Sequence, residues 1–414
     1  MSVPIFRRLV ISELERYLIT DDILVIHGAR QVGKTSIMKY LQSDLQQKQD
    51  QTIYFDLEDS RFKNLLDRGV DEFVNYLSEQ GFSSKDLELS QRRLFVFIDE
   101  IQYLDNPSSF LKLLADHHQY LKVIVSGSSS FEMKSKFQDS LVGRMVDFEI
   151  HPLSFEEFLT FKGISLQQTK IFTKQRIAEL KTLFTEFLLY GGYPKIVITS
   201  EISMKERYLQ QIIDTYIRKD IRDMAVIKNV DKFNRLLEIL ASQSGNLLNI
   251  SELSFTCGLA RDTLENYLFL LEQTYIIKLL RPYSNNLRTE LIKMPKIFFY
   301  DTGLMQMLWM KKLQSQIVGP VFETCIFSEL VKRYGSSALN FWRTKDKKEI
   351  DFILRTPDAM IPIEAKLQFP KSIPNVLRNF NELYPSKIGE GIGFRLVALD
   401  GKAAENGMIY PWQL

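Results

Sequence analysis

Cysteine is almost absent from this 414-residue chain: Cys257 and Cys325 are its two thiols. That excludes a disulfide framework and any zinc site built on thiolates. Long apolar runs are also missing. None approaches the roughly 18–20 residues a membrane helix needs, so no membrane partner is expected. Arg7 and Arg8 stand near the start, but neither an apolar h-region nor a small-residue cleavage site follows. A leader is therefore not expected, and a reducing cytoplasm is the expected setting. Charge of one sign is lacking too: 53 Lys and Arg face 51 Asp and Glu, leaving +2. This rules out a histone-like, globally basic binder and leaves room for a local basic patch. Neither a fixed-period repeat nor a low-complexity tract interrupts the chain. With 45% hydrophobic and 25% charged residues, the remainder reads as ordinary soluble, globular sequence. Its length exceeds what one core usually spans, so two to four domains are expected.

Within that composition one segment carries specific chemistry. Residues 28–35 read Gly28-Ala29-Arg30-Gln31-Val32-Gly33-Lys34-Thr35, a complete GxxxxGK[ST] loop, with Ser36 next. The apolar run Ile23–Ile26 precedes it, and Ile37, Tyr40, Leu41 and Leu45 follow at helical spacing. Strand, loop and helix in that order are the context a phosphate loop requires. Residues 28–36 are thus expected to wrap the phosphates of ATP with backbone N–H groups and the positive end of the helix. Lys34 would reach the β- and γ-phosphates, and Thr35 would ligate Mg²⁺.

A second match lies downstream. Leu94–Glu100 reads LFVFIDE, an apolar strand closing on two carboxylates. Asp99 is expected to hold Mg²⁺, and Glu100 to orient or polarise the attacking water. An acidic pair at a strand end also suits a solvated turn or a helix start, and the upstream loop is what favours catalysis. The next apolar run, Leu121–Val125, leads into a serine-rich stretch, from which Ser128 is the expected contact to the γ-phosphate or the water. A plain serine-rich turn fits the same residues.

Short apolar strands alternate with helical segments over residues 20–150: Ile23–Ile26, Thr52–Asp56, Leu94–Ile98, Leu121–Val125 and Met145–Ile150. The alternation predicts a parallel sheet with helices on both faces. From Pro152 to about residue 230 the pattern is mostly helical, broken at Gly191-Gly192-Tyr193-Pro194, and reads as a lid. Residues 233–281 have the form of a winged helix-turn-helix, with the helix from Leu259 to Gln273 in the recognition position. Between Leu247 and Arg281, however, Arg261, Lys278 and Arg281 face Glu252, Asp262, Glu265 and Glu272, a net of −1. A phosphate-gripping surface normally has the opposite sign. DNA contact and a structural or subunit-contact role stand level on that count. The wider span 202–350 is net +6 and is the better place for any nucleic-acid footprint.

The C-terminal part has its own pattern. A helix-period segment, VFETCIFSELVKRY, precedes the strand EIDFIL (349–354) and the strand IPIEAKL (361–367). Alternation puts Glu364 and Lys366 on one face, where Asp351 can meet them across the hairpin. This D-x₁₂-E-x-K spacing suits a metal-dependent nuclease, with Glu323 from the preceding helix completing the shell. Cross-strand acid–lysine pairs of purely structural value fit it as well.

Taken together, GARQVGKTS, VFIDEIQ, IVSGSSS, Gly143-Arg144 before HPLSFEEF, GGYP, YIRKDI, KIFFYDTGL, GPVFETCIFSEL, EIDFIL and PIEAK resemble one group of bacterial and archaeal proteins. These are AAA-type ATPases that end in a DUF4143 domain. The resemblance covers nearly the whole chain. It implies an α/β P-loop core (residues 1–152), a helical lid (153–230), a winged helix-turn-helix (231–300) and a restriction-endonuclease-like domain (301–414). It also places Arg144 as an arginine sensor, or as a finger from a neighbouring subunit. Three functions follow as expectations. The first is an ATP-driven switch acting on DNA, a protein partner or further copies of itself. The second is an ATP-gated Mg²⁺-dependent nuclease, and the third is a slowly turning scaffold ATPase.

Overall fold

The computed structural model describes residues 6–90, 92–128, 141, 143–165, 172–220, 229–284, 294–384, 393–403 and 406–414, with the backbone alone for Ser128 and residues 218–220. It divides into two compact units, Met1–His151 and Pro152–Leu414.

The first unit is built on five strands: β1 (Ile23–Gly28), β2 (Gln51–Asp56), β3 (Leu94–Asp99), β4 (Leu121–Ser128) and β5 (Met145–Ile150). They lie in the order β2-β3-β4-β1-β5, and every pairing is parallel. Every residue of β1 and β3 is buried, which is why both read as unbroken apolar runs rather than alternating ones. Ile23, Val25, Val96, Ile98, Val123 and Val125 form the sheet side of a core closed by Phe55, Phe73 and Phe110. Register fixes the working edge. Ile98 is level with Val125, and Ile26 with Ser126. The segments after β1, β3 and β4 therefore leave the sheet side by side at its carboxyl end, where open α/β sheets bind ligands.

The second unit opens with the helix Phe155–Phe161, capped reciprocally by Ser154 and Glu157. The helix Lys174–Tyr190 stops at Gly191, whose φ is +81°, and a new helix starts at Pro194. The Asp301 carboxylate fixes that break, accepting hydrogen bonds from Gly192 N (2.7 Å) and Leu304 N (2.8 Å). A side chain at Gly191 would run into Asp301, at 2.3 Å from Oδ1. Helices Val230–Ser242, Ile250–Cys257 and Arg261–Gln273 precede an antiparallel ribbon of β6 (Ile277–Leu280) and β7 (Lys296–Phe299). The helix Gly319–Tyr334 then leads into β8 (Leu339–Arg343), β9 (Glu349–Arg355), β10 (Met360–Gln368), β11 (Arg395–Asp400) and β12 (Met408–Ile409). These last five strands form one sheet in the order β12-β11-β10-β9-β8, with β9 antiparallel to β10.

Candidate functional site

The loop after β1 is shaped by what cannot stand there. Gly28 has φ +149°, and a Cβ on it would lie 2.1 Å from the Ile150 carbonyl oxygen of β5. Glycine is what lets the two strands close at that point. Gln31 (φ +61°) and Gly33 (φ +101°) turn the chain left-handed twice before the helix Lys34–Gln47 begins. Successive amides turned this way form a concave, anion-facing nest. Ala29 and Val32 are buried in the loop's base, while Gln31 and Ser36 are exposed. Lys34 is 5% exposed, and its ammonium donates to the carbonyls of Gly28 (3.1 Å) and Ala29 (2.9 Å). Burial lowers its pKa to about 8, opposed by the carboxylates of Glu100 and Asp99 and aided by Arg30.

Asp99 is the hub. Its Oδ2 accepts from Thr35 Oγ1 at 2.8 Å and from the Tyr54 phenol at 2.7 Å, and its Oδ1 accepts from Ser126 Oγ. Ser126 Oγ also accepts from the backbone N–H of Glu100 at 3.2 Å. Burial pushes the Tyr54 phenol well above its ordinary value, and the Asp99 charge adds to this. The phenol therefore stays a donor. A hydroxyl on the loop's helix and a buried carboxylate within hydrogen-bond reach form the oxygen donor set that Mg²⁺ prefers. Glu100 sits in a left-handed conformation, φ +57° and ψ +49°, with its side chain held by Gln102. Such a backbone costs roughly 1–2 kcal/mol for a non-glycine residue. It turns the Glu100 side chain off the line of β3.

Two further expected site residues are not placed against the loop by a described side chain. The side chain of Ser128 lies outside the described residues; its backbone pairs with Gly28. Arg144 stands just before β5, whose first residue, Met145, is level with Ile23 at the start of β1. The phosphate loop leaves the other end of β1, about 17 Å away at ~3.3 Å per residue. There Arg144 pairs with Asp116 (Nε to Oδ1, 2.6 Å) and is not brought to the loop of its own chain.

In the second unit, Glu323, Asp351, Glu364 and Lys366 do converge. Asp351 Oδ2 accepts from Ala365 N (2.9 Å) and lies 4.0 Å from Lys366 Nζ, which is 2.5 Å from Glu364 Oε1. A further residue stands among them. Lys296 Nζ lies 2.6 Å from Glu349, 2.9 Å from Glu323 and 3.8 Å from Asp351. Burial alone would lower the Lys296 pKa, and Glu323, Asp351 and Glu349 reverse that and raise it. Glu323 and Glu364 are each raised to about 7, first by burial and then by the neighbouring Asp351. Among the described residues no group of three or more His, Cys, Asp or Glu is arranged to hold a metal ion. An ammonium, that of Lys296, stands among the carboxylates expected to form the metal shell.

Residues 20–159 match the family model of an AAA domain, residues 181–316 that of a domain of unknown function (DUF8612), and residues 318–411 that of DUF4143. Each match covers less than half of the chain, and the first and last are to the families that the motifs resemble. An uncharacterized protein of Methanocaldococcus jannaschii is 29% identical over 354 residues, covering 84% of this chain and 75% of the relative. One of Haemophilus influenzae is 27% identical over 376 residues, covering 89% and 88%. Solved structures similar to this one include a Walker-type ATPase of Pyrococcus abyssi, with TM-score 0.43 and 16% identity over 73% of this chain and 96% of that one. AMPPCP-bound DnaA from Aquifex aeolicus is another, with TM-score 0.28 and 16% identity over 66% and 90%.

Three polar residues of the first unit escaped sequence reasoning. Arg8, 7% exposed, donates to the Val32 carbonyl inside the phosphate loop (2.7 Å) and to the His151 carbonyl (2.9 Å). It staples the loop's outer wall, and no local pattern announced it. Tyr54 was hidden inside a strand. Ser126 had a signal: it shares the strand face of Ser128, two residues on, and is level with the end of β3.

Proposed function

We propose that the AAA domain binds ATP with Mg²⁺ and hydrolyses it, and that the nucleotide state switches the activity of the Pro152–Leu414 unit. The observation that carries this reading is the Thr35–Asp99 hydrogen bond of 2.8 Å, which joins the GK[ST] loop to the acidic strand at the carboxyl edge of a parallel sheet. Backbone amides of residues 28–36 would cradle the triphosphate, and Lys34 would exchange its carbonyl partners for β- and γ-phosphate oxygens. Thr35 and Asp99 would hold Mg²⁺, which when bound neutralises charge on the β- and γ-oxygens. Glu100 takes the proton of a water whose oxygen attacks the γ-phosphorus; the bond to the β–γ bridging oxygen breaks and ADP leaves with inorganic phosphate. Tyr54 and Ser126 hold Asp99 in place through its carboxylate, and Arg8 holds the loop.

DNA contact has less support. Arg261 is paired with Glu265 (2.8 Å), and Lys278 lies 3.5 Å from Glu272, so two of that module's cations already serve its own acids. The test is a pair of substitutions. Lys34→Ala should remove binding of a fluorescent ATP analogue. Glu100→Gln should bind it normally and lose turnover by about 10²–10⁴-fold. Equal hydrolysis by both variants and the unaltered protein would sink the proposal.

A further inference from the structure

We propose that Lys296 is the resident cation of the carboxylate cluster in the C-terminal domain. It acts as a plug delivered by β7 that keeps divalent metal out of the cluster. Three observations converge on this. Lys296 lies on the ribbon strand β7, outside the five-stranded sheet, yet its ammonium touches Glu323 from the helix Gly319–Tyr334 and Glu349 from β9. It is 3% exposed, so these carboxylates are its surroundings rather than a screened surface pairing.

The cluster has more acid than base. Glu323, Glu349, Asp351 and Glu364 are met by Lys296, Lys366 and Arg343, the last 2.5 Å from Glu349. The surplus is visible in one atom. Glu364, 6% exposed, leaves its Oε2 buried with no hydrogen-bond partner. An unsatisfied buried carboxylate oxygen is costly and calls for a positive or donating partner.

An ammonium with carboxylate oxygens at 2.6–2.9 Å does the electrostatic work of a bound cation without the open coordination positions that metal chemistry needs.

Titration of the nucleotide-free whole chain with Mn²⁺, read by calorimetry and electron paramagnetic resonance, tests the plug directly. Lys296→Met should gain a saturable Mn²⁺ site at least tenfold tighter than anything in the unaltered protein. Adding Asp351→Asn to it should abolish that gain, while Lys296→Arg should gain nothing. Should Lys296→Met fail to fold, Lys296→Gln is read in the same way. Absence of a gain in the folded variant overturns the proposal. So does an Asp351-dependent Mn²⁺ site already open in the unaltered protein. Neither result bears on ATP binding, which the Lys34→Ala comparison measures separately.

Discussion

Thr35 donates its hydroxyl to the Asp99 carboxylate across 2.8 Å, although 64 positions separate them in the chain. Two groups that share a proton and would share a metal ion must be energetically coupled. Thr35→Ala and Asp99→Asn, alone and combined, should therefore be non-additive in Mg²⁺-dependent nucleotide affinity, with a coupling of about 1–3 kcal/mol. Strict additivity in a fluorescence titration would show that they serve separate purposes.

Tyr54→Phe deletes one donor to Asp99 and keeps the ring stacked on Phe97, whose centroid is 6.2 Å away. Ser126 and Thr35 still hold the carboxylate. The expected cost is about 1–2 kcal/mol in Mg·ATP affinity, hence a several-fold rise in KM with kcat nearly unchanged. A fall in kcat at constant KM would instead place the phenol in the chemical step.

Glu323 and Glu364 have folded-state pKa values raised from 4.5 to about 7. The folded protein then keeps protons that the unfolded chain releases between those values. Their contribution is fully present below pH 4.5 and is lost as pH rises through about 7. Glu364→Gln, which cannot ionise, should gain stability relative to the unaltered protein over that window. Urea denaturation at several pH values checks it, and a difference constant with pH would contradict it.

Gly28→Ala should be among the most damaging single-methyl changes in the molecule. Its Cβ would stand 2.1 Å from the Ile150 carbonyl oxygen at φ +149°. Overpacking plus strain implies a loss of at least about 2 kcal/mol. Gly143→Ala is the control: φ is +76°, but among the described residues nothing lies within 4 Å of the added carbon. Only the left-handed penalty of roughly 1–2 kcal/mol applies there. Equal losses in denaturant midpoint would mean the contact at Ile150 is soft.

What the sequence made legible was local. The loop, the buried strands and the acidic pair announce themselves through spacing and apolar runs, and β1 to β5 lie where those runs lie. Asp351, Glu364 and Lys366 were legible for the same reason, since strand alternation and one hairpin bring them together. The missed residues act over long separations. Arg8 reaches Val32 and Tyr54 reaches Asp99, 24 and 45 positions away, with no periodicity to mark either approach. Lys296 meets Glu323 through a ribbon whose docking no pattern encodes. The place of Arg144 in its own chain was legible as well. A residue preceding a parallel strand stands at the amino edge of the sheet, opposite the phosphate loop, and the strand order alone says so.

The Lys296 contact also bears on where this polypeptide can be cut. The DUF8612 and DUF4143 models meet between residues 316 and 318, which invites a protein chemist to separate two pieces there. Yet the ammonium on one side is bonded to Glu323 and Glu349 on the other, and Phe298 stacks on Phe327 at 4.5 Å. Separating the pieces at that seam would strip Lys296 of its carboxylate partners and uncover the Phe298–Phe327 stack. The limit between two family models is thus not a limit between two folded pieces of this molecule.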